Sequence, residues 1–183
     1  QRAERCCFDP YLQVALRLRA LTAIGHATDK VELIVLGGTW SDYGEGYQAW
    51  FMAELFRALN DAGTLGIGSP AALQQAAERE ASYRRAGIAN GREQLAEATA
   101  EAQRQVDAGA LGYNQAVAQL YGQPGCGWQQ AAAFQHATLA DVEAQHCANE
   151  QATHRCVGLV IETRPDLVMP ESLALMRRMG CTK

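Results

Sequence analysis

The sequence predicts an α/β fold, and within that class an incomplete α/β barrel with a large helical insertion. Three observations carry the prediction. Two short apolar runs, Val31 to Leu36 and Cys156 to Ile161, read as strands buried on both faces. Each ends abruptly in residues suited to chemistry: Gly37-Gly38-Thr39-Trp40 after the first, and Glu162-Thr163-Arg164-Pro165-Asp166 after the second. Long helical stretches separate the two runs, so the strands are expected to pair in parallel through right-handed crossovers.

Taken in order, Asp9-Pro10 opens a helix, because proline's fixed φ and missing donor suit the first turn. Leu12, Leu16, Leu18, Leu21 and Ile24 are read as its apolar stripe, and Gly25 as its left-handed cap. The first strand follows, then a polar loop to Gly46. A second helix is expected over 47–60, with Trp50, Phe51, Leu55 and Leu59 on one face. Gly63 to Pro70 reads as a break. Residues 71–121 are rich in Ala, Gln and Glu and favour helix, cut by Gly87, Gly91, Gly109 and Gly112. A further break is expected at Gly122–Gly127, then one long helix over 128–154. After the second strand, Pro170-Glu171 starts a helix carrying Leu173, Leu175, Met176 and Met179 to a stop at Gly180. This divides the chain into a barrel part over 1–62, a helical insertion over 63–153 and a second barrel part over 154–183. Two strands are too few for a sheet with covered faces, so neighbouring strands are expected before Gln1 and after Lys183.

With 183 residues, 48% of them apolar and 20% charged, the chain has the balance of one ordinary globular domain. A net charge of −4 gives no overall basic field, although a local patch can still bind nucleic acid; Arg2, Arg5, Arg17 and Arg19 are candidates for one, with ordinary solvated charge as the simpler account of them. No run is long and apolar enough for a membrane span, no signal peptide is read, and the expected location is cytoplasmic. The chain starts at Gln1 without a methionine and reads as a piece of something longer. None of its six cysteines, Cys6, Cys7, Cys126, Cys147, Cys156 and Cys181, forms a C-x-x-C pair, so they read as buried or incidental thiols.

Ligands in α/β folds sit beyond the carboxyl ends of the strands. Gly37 and Gly38, lacking β-carbons, let a ligand approach the backbone, or else simply make a tight turn. Glu162 can accept hydrogen bonds from an ammonium or a ribose, and Arg164 can fork onto a carboxylate or phosphate; the alternative is that the two pair with each other at the rim. Asp166 reads as a turn residue or helix cap. His146, Cys147, His154 and Cys156 are metal-ligand types, but their spacing matches no common zinc pattern. His26 as a general base has no supporting partner in the sequence.

Six blocks in order resemble one known family. They are Asp9-Pro10-Tyr11-Leu12-Gln13, Gly25 to Glu32, Gly37 to Trp40, Tyr47 to Phe51, Cys156 to Asp166, and Gly180-Cys181-Thr182-Lys183. Over 1–60 and 146–183 the chain is similar to the radical S-adenosylmethionine region of the Elongator catalytic subunit family, with an insert length that suggests its bacterial branch. The resemblance implies a partial (β/α) radical-S-adenosylmethionine barrel and a tRNA carboxymethyluridine synthase acting on the wobble uridine (U34). In such an enzyme a 4Fe-4S cluster cleaves S-adenosylmethionine, and the acetyl group of acetyl-CoA is transferred. By similarity Gly37, Gly38, Thr39, Glu162, Thr163 and Arg164 would contact S-adenosylmethionine, and Lys30 acetyl-CoA; read from the residues alone, Lys30 is a surface charge. No catalytic residue and no metal ligand is assigned within the chain, and the cluster ligands are expected outside it. Partners implied are tRNA and acetyl-CoA, with no membrane; a homo-oligomer stays open.

The chain departs from the family at three points. It lacks the three-cysteine cluster motif, it lacks the acetyltransferase domain, and it has Gly44 where the family usually has proline, which loosens the helix start. The first two lead us to expect an inactive piece of an enzyme. The alternatives are a non-catalytic remnant that binds tRNA or a partner protein, and a radical enzyme with a different substrate.

Overall fold

The computed structural model describes residues 2–88, 91–121 and 127–183. Residues 122–126 of the expected break at Gly122–Gly127, with the Cys126 thiol, and the Arg2 side chain fall outside the described parts. The chain forms two compact units, Gln1–Ala76 with Gln135–Lys183, and Ala77–Phe134.

In the first unit, a short helix α1 (Arg2–Arg5) leads through Cys7 and Phe8, both with positive φ, to α2 (Pro10–Ala23). Asp9 caps α2: its fully buried carboxylate accepts from the Leu12 N–H at 2.9 Å. Tyr11, Leu12, Val14 and Leu18 form the buried face. Leu16 and Ile24, expected in the stripe, are 51% and 71% exposed instead. The reason is angular: at about 100° per residue Leu16 and Leu18 point to opposite sides, whereas Tyr11 and Val14 fall in line with Leu18. Gly25 ends the helix at φ 86° with His26 N–H donating back to the Leu21 carbonyl, as expected.

Strand β1 (Lys30–Val35) and strand β2 (Arg155–Ile161) pair in parallel, from Lys30 opposite Arg155 to Val35 opposite Ile161. Between Val31 and Glu32 the register shifts, leaving Val157 as the extra residue of a bulge. The other edge of β2 is met by the last residues of the chain: Lys183 N–H donates to the Leu159 carbonyl at 3.2 Å, and Ile161 N–H donates to the Lys183 carbonyl at 3.2 Å. This is the hydrogen-bond pattern of a parallel ladder. The described chain is thus helix-rich with one small parallel sheet.

Helix α3 (Glu45–Leu65) is the centre of the core; Met52 and Leu59 are fully buried with Val142, Leu159 and Met179. It runs past the expected end at Asn60 and through Gly63, and stops at Gly66, where φ is 83°. Gly63 marks close packing, not a break: a Cβ there would lie 3.1 Å from the Thr153 hydroxyl. Gly46 serves the same purpose against the His136 ring. Gly44, by contrast, has φ −62° and ψ 146°, follows Tyr43 in an extended conformation, and has open space around it. Its N–H has no acceptor among the described residues. Proline fits all of these. Gly44→Pro is therefore expected to stabilise the protein by about 0.4–1 kcal/mol, mainly by restricting the unfolded chain; a lower urea midpoint would contradict this.

Helix α4 (Pro70–Arg85) follows, and the second unit contains α5 (Gly91–Asp107), α6 (Tyr113–Tyr121) and α7 (Gly127–Ala132). Its interior is Tyr83, Ala102, Ala116 and Ala131, with Phe134 edge-on to Tyr83 at 5.4 Å. The single helix expected over 128–154 is instead α7 and a separate α8 (Leu139–Asn149). A capping box starts α8: Thr138 accepts from the Asp141 N–H while the Asp141 carboxylate accepts from the Thr138 N–H at 2.8 Å. Helix α9 (Pro170–Arg178) closes the first unit, and Gly180 at φ 93° sits under the His146 ring.

Candidate functional site

Because β1 and β2 are parallel and end together at Val35 and Ile161, the two segments singled out in the sequence leave the sheet from the same end. The structure ties them to one another. Trp40 N–H donates to the Glu162 carbonyl at 3.1 Å, and the Ser41 and Thr163 hydroxyls lie 2.6 Å apart in hydrogen-bond contact. Gln48, buried in the first turns of α3, donates through Nε2 to the carbonyls of Trp40 (3.2 Å) and Tyr43 (2.6 Å). One side chain therefore holds both ends of the short 3-10 turn Trp40–Asp42.

Gly37 and Gly38 are exposed, and Gly37 has φ 139°, a conformation that favours glycine. The backbone at this turn is accessible from outside the protein. Thr39 is half-buried, and the Trp40 side chain is buried with no acceptor for its indole N–H among the described residues.

On the other strand end, Glu162 is exposed and its carboxylate has no hydrogen bond or ion pair among the described residues. The proposed Glu162–Arg164 pair does not form. Arg164 forks onto Asp166, Nε to Oδ1 at 3.0 Å and Nη2 to Oδ2 at 2.6 Å, because the turn Pro165–Leu167 brings that carboxylate back beside the guanidinium. Both side chains are about three-fifths exposed (61% and 58%), so water and salt keep this pair weak. Lys30 lies at the opposite, amino end of β1, exposed and paired in register with Arg155. At about 3.3 Å per residue it is about 17 Å from the strand ends.

Three of the four metal-ligand types have other contacts. The His154 ring meets the Thr28 carbonyl through Nδ1 at 2.8 Å, and Cys156 Sγ donates to the Gly158 carbonyl at 3.3 Å. His146 packs edge-on to Phe56 at 4.3 Å, and burial lowers its pKa from the usual histidine value. Burial also pushes the Cys181 thiol up to about 11 and raises that of Cys156, so neither is a ready thiolate. Cys147 is exposed. Among the described residues no three His, Cys, Asp or Glu side chains converge as a metal-ligand group, and no described helix is long and apolar enough to cross a membrane.

Sequence reasoning named the glycines, Glu162, Thr163 and Arg164 as candidates; it did not name Ser41, Tyr43 and Gln48, whose hydrogen bonds shape the loop after β1. Gln48 had one visible signal: it stands among the apolar residues of α3.

No protein-family model matches the chain. Among curated proteins it is 34% identical over 182 residues, all of this chain and 23% of the other, to a tRNA uridine(34) acetyltransferase of Dehalococcoides mccartyi. It is 27% identical over 182 residues, again all of this chain and 20% of the other, to Elongator complex protein 3 of Schizosaccharomyces pombe. It is 27% identical over 96% of its length to a tRNA uridine(34) acetyltransferase of Methanocaldococcus infernus, covering 19% of that protein. The chain thus spans about a fifth of the length of the curated relatives it matches. Among solved structures, the archaeal Methanocaldococcus infernus Elp3 with its N-terminus deleted is 25% identical, with a TM-score of 0.48 over 96% of this chain and 24% of that one.

Proposed function

We propose, for a chain related along its whole length to the tRNA uridine(34) acetyltransferases and Elongator complex protein 3, that it forms part of a tRNA wobble-uridine carboxymethylating enzyme. In this reading the parallel strands are a segment of a (β/α) radical-S-adenosylmethionine barrel. The observation that carries the reading is the 34% identity over 182 residues to a tRNA uridine(34) acetyltransferase. The geometry at the strand ends supports it, since a bare glycine turn and an unpartnered carboxylate face outward from one end of the sheet.

In this reading S-adenosylmethionine, when bound with a reduced iron–sulfur cluster, supplies radical chemistry. Gly37 and Gly38 would let the ligand lie against the backbone, where amide N–H groups and carbonyls are its natural partners. Glu162 would accept hydrogen bonds from a ligand ammonium or ribose. Thr163 spends its hydroxyl on Ser41, which makes it a positioning residue for the adjacent Glu162. Arg164 would engage a ligand carboxylate or phosphate only by giving up Asp166, an exchange of exposed partners that costs little. The described residues do not fit a 4Fe-4S cluster, since they bring no three ligands together, and no step within this chain is drawn through one. Lys30 would contact acetyl-CoA from the far end of β1, apart from the other residues. The remnant reading has no observation of its own in the structure.

The test is nucleoside analysis of tRNA modified by the whole protein that contains this segment. Glu162→Gln is expected to lower uridine-34 modification about 100-fold, as loss of a charge-assisted hydrogen bond (about 1.5–3 kcal/mol) allows, while tRNA binding is unchanged. Full activity in that variant would remove Glu162 from the site.

A further inference from the structure

We infer that Tyr43 is a ligand-contact residue of the strand-end site, its hydroxyl donating a hydrogen bond to a carboxylate of the small molecule lying along Gly37 and Gly38. This rests on the reading above that the ligand is S-adenosylmethionine, which carries an amino-acid carboxylate. The backbone of Tyr43 is fixed at both polar groups: its N–H donates to the Trp40 carbonyl at 3.2 Å, and its carbonyl accepts from Gln48 Nε2 at 2.6 Å. Its ring is set by Tyr47 at 5.2 Å and Trp40 at 6.2 Å between centroids. Placed this way, the Tyr43 hydroxyl lies 3.3 Å from where a side chain at Gly38 would begin. The hydroxyl is therefore held beside the Gly38 backbone, and a side chain at Gly38 would crowd it.

Tyr43 is 45% exposed and its hydroxyl has no hydrogen-bond partner among the described residues. A phenylalanine would satisfy every ring contact just as well, so nothing among the described residues accounts for the hydroxyl. What it can do is donate outward, and it is held so that the direction of donation is the glycine turn. A phenol is a good neutral donor to a carboxylate. The amides of the same turn can add to it, as they do in backbone anion sites.

The experiment is calorimetric titration of the whole protein that contains this segment with S-adenosylmethionine and, separately, with 5′-methylthioadenosine, which lacks the amino-acid carboxylate. Tyr43→Phe is expected to weaken S-adenosylmethionine binding about 10-fold, the equivalent of one hydrogen bond, and to leave the melting temperature unchanged. Affinity for 5′-methylthioadenosine is expected to be equal in the two proteins. Equal S-adenosylmethionine affinities overturn the role of Tyr43 and leave the site reading intact. A 10-fold loss with both molecules overturns the carboxylate assignment. If the wild-type protein binds neither, the site reading falls and Tyr43 falls with it.

Discussion

Asn149→Ala is expected to destabilise the protein by about 3 kcal/mol, one of the two largest effects the structure predicts. Asn149 is 4% exposed and serves three groups at the junction of α8 with β2. Its Oδ1 accepts from the Cys156 N–H at 2.8 Å, and its Nδ2 donates to the His154 carbonyl at 3.0 Å and to Asn60 Oδ1 at 2.7 Å. Asn60 in turn donates to Gln145, and the His154 ring closes onto the Thr28 carbonyl ahead of β1. Alanine would leave an N–H and a carbonyl of the strand approach without partners, and each such loss costs about 1–3 kcal/mol when water cannot reach it. The measurement is the urea midpoint at unchanged slope. A loss below about 1 kcal/mol would mean water replaces the amide and the junction is wetter than the structure indicates.

The second large effect concerns the site. If the proposed site is right, Gly37→Val is expected to abolish S-adenosylmethionine binding, with at least a 100-fold loss of affinity, because a β-branched residue resists φ 139° and its side chain would occupy the ligand's approach. No atom lies within 4 Å of a Cβ built there, so core packing is untouched. Stability should fall by no more than the local backbone strain, about 1–3 kcal/mol. Isothermal titration beside a thermal melt separates the two outcomes. Retained affinity would show that the ligand does not use this turn.

The sheet and its polarity were legible because they rest on local chemistry. The apolar runs Val31–Leu36 and Cys156–Ile161 are too short and too β-rich for buried helices, and long helical connections leave parallel pairing as the natural outcome. The start of α2 at Asp9-Pro10 and the glycine stops at Gly25 and Gly180 were legible for the same reason. The errors came where a distant residue decides. Gly63 lies inside α3, and the close approach of Thr153 that a side chain there would crowd is invisible in any window around Gly63. The division of 128–154 had no glycine or proline to announce it, and its one local signal was the Thr138-x-x-Asp141 capping box. At the site, residue types at the strand ends were readable, but partner choice was not. Arg164 takes Asp166 two residues on, and the hydroxyl pair Ser41–Thr163 joins positions far apart in the chain.

The central claim is that S-adenosylmethionine lies at the carboxyl ends of β1 and β2. Its most direct test is an amide chemical-shift titration of the isotope-labelled protein with S-adenosylmethionine. Largest shifts are predicted at Gly37, Gly38, Thr39, Glu162, Thr163 and Arg164, with Lys30 and the second unit unmoved. Shifts clustered in Ala77–Phe134 or around Lys30, with the strand ends silent, would contradict it.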